Sequence, residues 1–514
     1  MIPDDTPDRL GPLTDGAAAA LDELAEADAV ARTWARDHTL WRDDPTEIAD
    51  RLGWLSVAPE MAARLDDTGD RCAALAADAD HVLLAGMGGS SLFPEVVARG
   101  GAGAGAPALH VLDTTDPAAV ARLAADMPAA RTLHVAASKS GSTLETRSHL
   151  AWAWGRLPDP DRFAVITDPG SDLAALAADR GFAATFENPP DIGGRYSALS
   201  LFGLVPALLA GADVGGLLAS AAGMSDRLRG PVSANPAAQL AATIAAGVRA
   251  GRDKLTIVVP SEQATFGLWL EQLIAESTGK DGTGVVPVVG EPVGPPEVYG
   301  ADRTFVALGD DTEAEALTAL AAAGHPVAVL PYAGGFADLG GQVLLWELAT
   351  ALVGALLGIQ PFDQPDVAAA KAATNRVLED GPPSVDDTPL DDLLARVSPG
   401  DYLAIQAFVD PGSAVVADIE RARVALRDRL GVATTVGLGP RFLHSTGQLH
   451  KGGPESGVFL QVVGDDPEDV PIPDASYGFS ALKRAQADGD LVTLQERGRR
   501  VARVRLAQLV EVGS

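Results

Sequence analysis

Ala137-Ser138-Lys139-Ser140-Gly141-Ser142-Thr143-Leu144-Glu145-Thr146 is the stretch from which the rest of this chain can be read. Ahead of it, residues 132–136 form an apolar run that predicts a short buried strand, and residues 147–155 behind it predict a helix. A strand, a hydroxyl-rich turn and a helix start therefore follow one another. Ser138, Ser140, Ser142 and Thr143 with Lys139 crowd hydroxyls and an ammonium into six residues, beside backbone N–H groups that an opening helix leaves unpaired. Capping a helix takes one or two hydroxyls. Four of them and a lysine suit a phosphate.

The same alternation extends in both directions. Residues 81–85 predict a strand leading into the turn Gly86-Met87-Gly88-Gly89-Ser90-Ser91, and residues 108–112 and 163–167 predict further strands separated by helical patterns. After Ala-rich helices over 201–251 the style recurs, with strands at 255–259, 304–308 and 326–330. A third block has strands at 402–409, 432–436 and 458–463 around a helix at 418–430. Apolar strands alternating with helices predict parallel sheets covered on both faces, an α/β class. The expected units are a helical N-terminal segment (1–72) pinned by Trp34, Trp41 and Trp54, a first α/β domain (73–215), a second (216–380) and a smaller C-terminal α/β domain (381–514). The turn at 86–91 falls short of the dinucleotide fingerprint, because Ser91 stands where a third glycine is required.

A formal net charge of −31 over 514 residues argues against nucleic acid and anionic membrane as partners. An anionic small molecule would need a local cluster of donors, such as the opening stretch offers. No run of 18 apolar residues is free of charge, and the N-terminus lacks a basic region followed by an apolar one, so neither a membrane span nor a signal peptide is expected. One cysteine, Cys72, leaves no internal disulfide framework, and a cytoplasmic location is expected.

Five segments occur in order: Gly86-Met87-Gly88-Gly89-Ser90, Ser138 to Thr143, Ile192-Gly193-Gly194-Arg195-Tyr196-Ser197, Glu276-Ser277-Thr278-Gly279-Lys280, and Pro361-Phe362-Asp363-Gln364-Pro365-Asp366-Val367 with Lys371. Together they resemble the glucose-6-phosphate isomerase (phosphoglucose isomerase) family over about residues 80–375. Residues 32–55 resemble the connector of the transaldolase-fused branch, and a free-standing isomerase of that branch is expected. The resemblance implies two SIS-type (sugar isomerase) domains, a homodimer, and reversible conversion of glucose 6-phosphate to fructose 6-phosphate, with no metal and no cofactor.

Moving a proton between adjacent carbons requires one carboxylate, and Glu276, near a predicted helix C-terminus, is the candidate base. Arg195 would stabilise the negative charge of the enediolate, since a guanidinium stays charged at any working pH. Lys371 matches the family's ring-opening lysine. The family's ring-opening histidine lies between the glutamate and the lysine, where this chain has only His325. His444, in Leu443-His444-Ser445-Thr446-Gly447-Gln448, resembles the histidine segment of shorter members and is taken as the relocated equivalent, with His450 as the alternative. Substrate-binding candidates are Gly88, Gly89, Ser90, Ser138, Lys139, Ser140, Ser142, Thr143, Gln272 and Gln364. Two other readings stay open: an isomerase that also accepts mannose 6-phosphate, and a non-catalytic phosphosugar sensor.

Overall fold

The computed structural model describes residues 9–309, 312–381, 385 and 387–513, with the side chains of 367–371 and 380 excepted. The opening stretch links β3 to its helix in a sheet of five parallel strands: β1 (His81–Gly86), β2 (Ala108–Leu112), β3 (Thr132–Ala137), β4 (Phe163–Thr167) and β5 (Ala184–Glu187). They lie in the order β2-β1-β3-β4-β5. Every residue of β3 and β4 is buried, which is why these strands read as unbroken apolar runs. The chain leaves β1 toward one side and returns for β3 on the other, so the strand order reverses between them. Ligands of open α/β sheets bind at that reversal, beyond the C-terminal strand ends. The Gly-rich turn follows β1 and the hydroxyl-rich turn follows β3.

A second sheet has β6 (Lys254–Val258), β7 (Val286–Val289), β8 (Arg303–Leu308) and β9 (Val327–Leu330) in the order β7-β6-β8-β9. A third has β10 (Tyr402–Phe408), β11 (Ala433–Leu438), β12 (Gly457–Val463) and β13 (Arg500–Arg503) in the order β11-β10-β12-β13. All pairings are parallel, and the same winding occurs three times.

The first two sheets share one apolar core that takes in Trp54, Val82, Phe202, Trp269 and Trp346, whereas the third packs around its own, with Leu403, Ile405, Leu426 and Leu460. The helix Leu339–Leu357 runs through the shared core. By length and composition it could cross a membrane, but it is 94% buried inside the protein, as a helix apolar on all sides must be. The three N-terminal tryptophans do pin their segment. The Trp41 indole donates to the Ala351 carbonyl (2.8 Å), Trp34 donates to the Leu228 carbonyl (3.0 Å), and Trp54 stacks on Tyr196 (5.2 Å between ring centres).

Candidate active site

At the β1–β3 reversal the two turns meet parts of the other units. Gly88 has φ +55°, and a Cβ there would lie 2.7 Å from the His444 carbonyl oxygen and 2.8 Å from Gln272 Nε2. A Cβ at Gly89 would land on the Gly194 carbonyl oxygen. These glycines let the turn after β1 pass directly against the strip that carries Arg195 and against His444. Both are buried, and Ser90 is half-buried beside them.

In the hydroxyl-rich turn the side chains pair with one another. Ser138 Oγ lies 3.0 Å from Thr143 Oγ1, and Ser140 Oγ lies 2.9 Å from Ser142 Oγ. The helix begins three residues earlier than the pattern predicted, as Leu144–Arg156, and Thr143 at its N-cap makes no side-chain cap to it. Its first N–H groups are thus left to an anion. Lys139 turns elsewhere: its ammonium pairs with Asp168 and donates to the Pro190 carbonyl (2.7 Å).

Glu276 sits in the last turn of the helix Ala264–Thr278 and is buried. Gln272, one turn earlier, donates its amide to Glu276 Oε2 (3.0 Å) and to the His444 carbonyl (2.9 Å). Arg195 Nε is 3.6 Å from the same Glu276 oxygen. Its two Nη atoms donate to the carbonyls of Pro361 (3.3 Å), Phe362 (3.2 Å) and Asp363 (3.0 Å). Lys280 secures the same loop through the Gln360 carbonyl and Asp363 Oδ1, each at 2.6 Å. Burial, reinforced by the neighbouring Arg195, pushes the Lys280 ammonium down to about 8. Carbonyls neutralise no charge, so Arg195 keeps its full positive field beside the carboxylate.

His444 reaches this cleft from the third unit, on the short helix Arg441–His444. Its Nε2 lies 2.8 Å from Glu145 Oε1. Glu145, in the first turn of the helix Leu144–Arg156, was not picked out by the sequence reading, although it stands in the decisive stretch. Burial opposes its charge, yet the His444 imidazole and hydrogen bonds outweigh that and hold it at about 2. An acid two residues beyond a donor-rich turn, just ahead of a predicted helix, was the available signal. His450 is fully buried, bonded through Nδ1 to the Gln406 amide (3.2 Å), and burial pushes it well below its ordinary value. That makes it a packing residue and leaves His444 as the histidine of the cleft. His325 packs between Tyr299 and Phe305.

Gly88, Gln272, Glu276, Arg195 and His444 are therefore linked one to the next, Gly89 packs on Gly194 beside Arg195, and the hydroxyl-rich turn is joined to them through Glu145. Gln364 is exposed. The backbone of Lys371 lies in the helix Val367–Asp380, which begins directly after the Arg195-bound loop, and its side chain lies outside the described residues. A buried carboxylate beside a fixed cation, with a carboxylate-oriented imidazole across the cleft, is equipped to move protons at two neighbouring places on one bound molecule.

Comparison with known proteins gives a consistent set of relatives. A sequence model of the family phosphoglucose isomerase matches residues 38–294. A glucose-6-phosphate isomerase of Rubrobacter xylanophilus is 32% identical over 377 residues, covering 62% of this chain and 85% of that protein. One from Thermosynechococcus vestitus is 37% identical over 212 residues, 39% of this chain and 40% of that protein. Among solved structures, a hypothetical protein from Thermus thermophilus superposes with a TM-score of 0.61 at 27% identity, covering 72% of this chain and 98% of that one. A glucose-6-phosphate isomerase from Chlamydia trachomatis gives 0.60 at 18% identity, over 71% and 86%, and so shares the fold.

Proposed function

The chain belongs to the phosphoglucose isomerase family and interconverts glucose 6-phosphate and fructose 6-phosphate, and we propose that it does so with the residues gathered in this cleft. The observation that carries the reading is the buried Glu276 carboxylate held by Gln272 (3.0 Å) and faced by Arg195 (3.6 Å). The hydroxyl-rich turn and the N–H groups of its helix hold the 6-phosphate. His444, with Lys371, opens the ring, one group protonating the ring oxygen while the other takes the proton of the anomeric hydroxyl. Glu276 then removes the proton from C2. The C2–H pair becomes the C1–C2 double bond of a cis-enediol, and the carbonyl oxygen at C1 takes up the charge under the field of Arg195. Return of the proton to C1, with the O2 proton passing to O1, leaves the ketose with its carbonyl at C2 and a hydroxyl at C1. The proposal extends to a homodimer working in the cytoplasm.

Glu276→Gln keeps the shape and the Gln272 contact but abolishes the base. We expect kcat to fall by roughly 10²–10⁴-fold, with phosphosugar binding retained in calorimetric titration. Undiminished turnover in the variant would remove Glu276 from the mechanism.

A further inference from the structure

The oxygen of Glu145 that meets His444 has a second donor, and it comes from the far end of the chain. Gln486 Nε2, on the helix Phe479–Glu496, lies 2.7 Å from Glu145 Oε1. The other end of the same amide is also engaged: Thr115 Oγ1 donates to Gln486 Oε1 at 2.7 Å. The Glu145 carboxylate only accepts, so the amide must turn Nε2 to it, and Oε1 then receives the Thr115 hydroxyl. Thr115 is fully buried and Gln486 is 3% exposed, so the chain from Thr115 through Gln486 to Glu145 is shielded from competing water, and His444 at its end opens to the cleft.

The backbone around Thr115 holds the same parts in place. Asp113, directly after β2, pairs with Arg441 through two bonds (2.7 and 2.8 Å), and Arg441 opens the short helix that ends at His444. Asp116 receives the Lys483 ammonium (2.9 Å), one turn before Gln486 on its helix. Residues 113–116 thus form one rail to which both the histidine-bearing helix and the glutamine-bearing helix are bolted.

We propose that Thr115 and Gln486 are positioning residues for ring opening: by anchoring the amide they keep Glu145 aimed at His444 Nε2, which holds the proton on that nitrogen and turns Nδ1 toward the sugar. This rests on the reading that His444 opens the ring. Glu145 is a carboxylate and accepts only, so the imidazole nitrogen facing it must donate. Without the Thr115 hydroxyl the amide oxygen is left buried and unpaired, so Gln486 loses its anchor and its hold on Glu145 slackens.

The test separates ring opening from isomerisation. Gln486→Leu and Thr115→Val are assayed on closed-ring glucose 6-phosphate and on an aldose phosphate that lacks the ring-forming hydroxyl and so stays open. We expect kcat/KM for the ring substrate to fall by about 10–100-fold, part of what general acid–base catalysis supplies. For the open substrate the change should be under about threefold. Thr115→Val keeps the buried shape, which covers the case in which Gln486→Leu fails to fold, and Thr115→Ser restores the hydroxyl and should restore turnover of the ring form. Equal losses on both substrates, or no loss on either, would overturn the proposal. Glu276→Gln in the same assay should lose both substrates, so retention of turnover there would count against the functional reading itself.

Discussion

Lys139 shows how one side chain's direction alters a prediction. Its ammonium is committed to Asp168 and to the Pro190 carbonyl, whereas the hydroxyls of Ser138 and Thr143 face each other across the turn at 3.0 Å. Phosphate is gripped equally in ground and transition states, so losing the grip raises KM and leaves kcat nearly intact. Ser138→Ala combined with Thr143→Ala should therefore raise KM for glucose 6-phosphate by roughly tenfold, about 1.4 kcal/mol of uniform binding. Lys139→Met should raise it less and lower the melting temperature. Steady-state kinetics on both variants decides it, and a larger KM effect from Lys139→Met would mean that the ammonium leaves Asp168 for the ligand. The sequence announced a donor-rich turn but not where the lysine points, since Asp168 and Pro190 enter only through the packing of the segments that follow β4 and β5. Glu276, Arg195 and His444 stood out as candidates because each sits in a short motif, and Gln272 because it lies one helix turn before Glu276; the structure places all four in one cleft. Glu145 and Gln486 were not, because their meaning lies in partners 299 and 341 residues away.

Among the elements, the three strands absent from the sequence reading share a position: β5, β7 and β13 each close an edge of a sheet. β7 contains Pro287, and β13 begins and ends with arginine. Proline and charge are what edge strands tolerate and what interior strands exclude, so the apolar pattern that betrays a central strand is missing at such sites. The helix Leu339–Leu357 presents the opposite case, since it is apolar nearly throughout except for Glu347. Both oxygens of this carboxyl are buried with no hydrogen-bond partner among the described residues, and burial raises it well above the usual carboxylate range. A carboxyl raised on folding costs stability once the pH exceeds its unfolded value, because only the unfolded chain then ionises freely. Glu347→Met should accordingly stabilise the fold by about 1–3 kcal/mol at pH 8 and by less at pH 4.5. Chemical denaturation at the two pH values checks this, and destabilisation at pH 8 would show that the carboxyl has a partner worth keeping.

For the molecule as a whole, two histidines inside the first unit set the acid limit. Burial pushes His134 and His149 down to about 4, and His450 in the third unit well below its ordinary value. Between pH 6.5 and 4 the unfolded chain takes up protons that the folded one refuses, so stability rises with pH through that window and is lost on acidification. Each group adds a slope of up to about 1.4 kcal/mol per pH unit. Urea midpoints should fall steadily from pH 7 to pH 4.5, and His134→Phe, which keeps the stack on Phe163, should flatten the limb. An unchanged limb would place the acid sensitivity elsewhere. The triple winding also bears on how the protein is made. The sheet that carries Glu145 emerges first, but His444 and Gln486 emerge 299 and 341 residues later. At about 5–20 residues per second that is a delay of roughly 15–70 s. Throughout it Glu145 lacks the two partners that offset the burial of its charge. The third unit, following the other two along the chain, is the one that brings Glu145 its partners and sets His444 in the cleft.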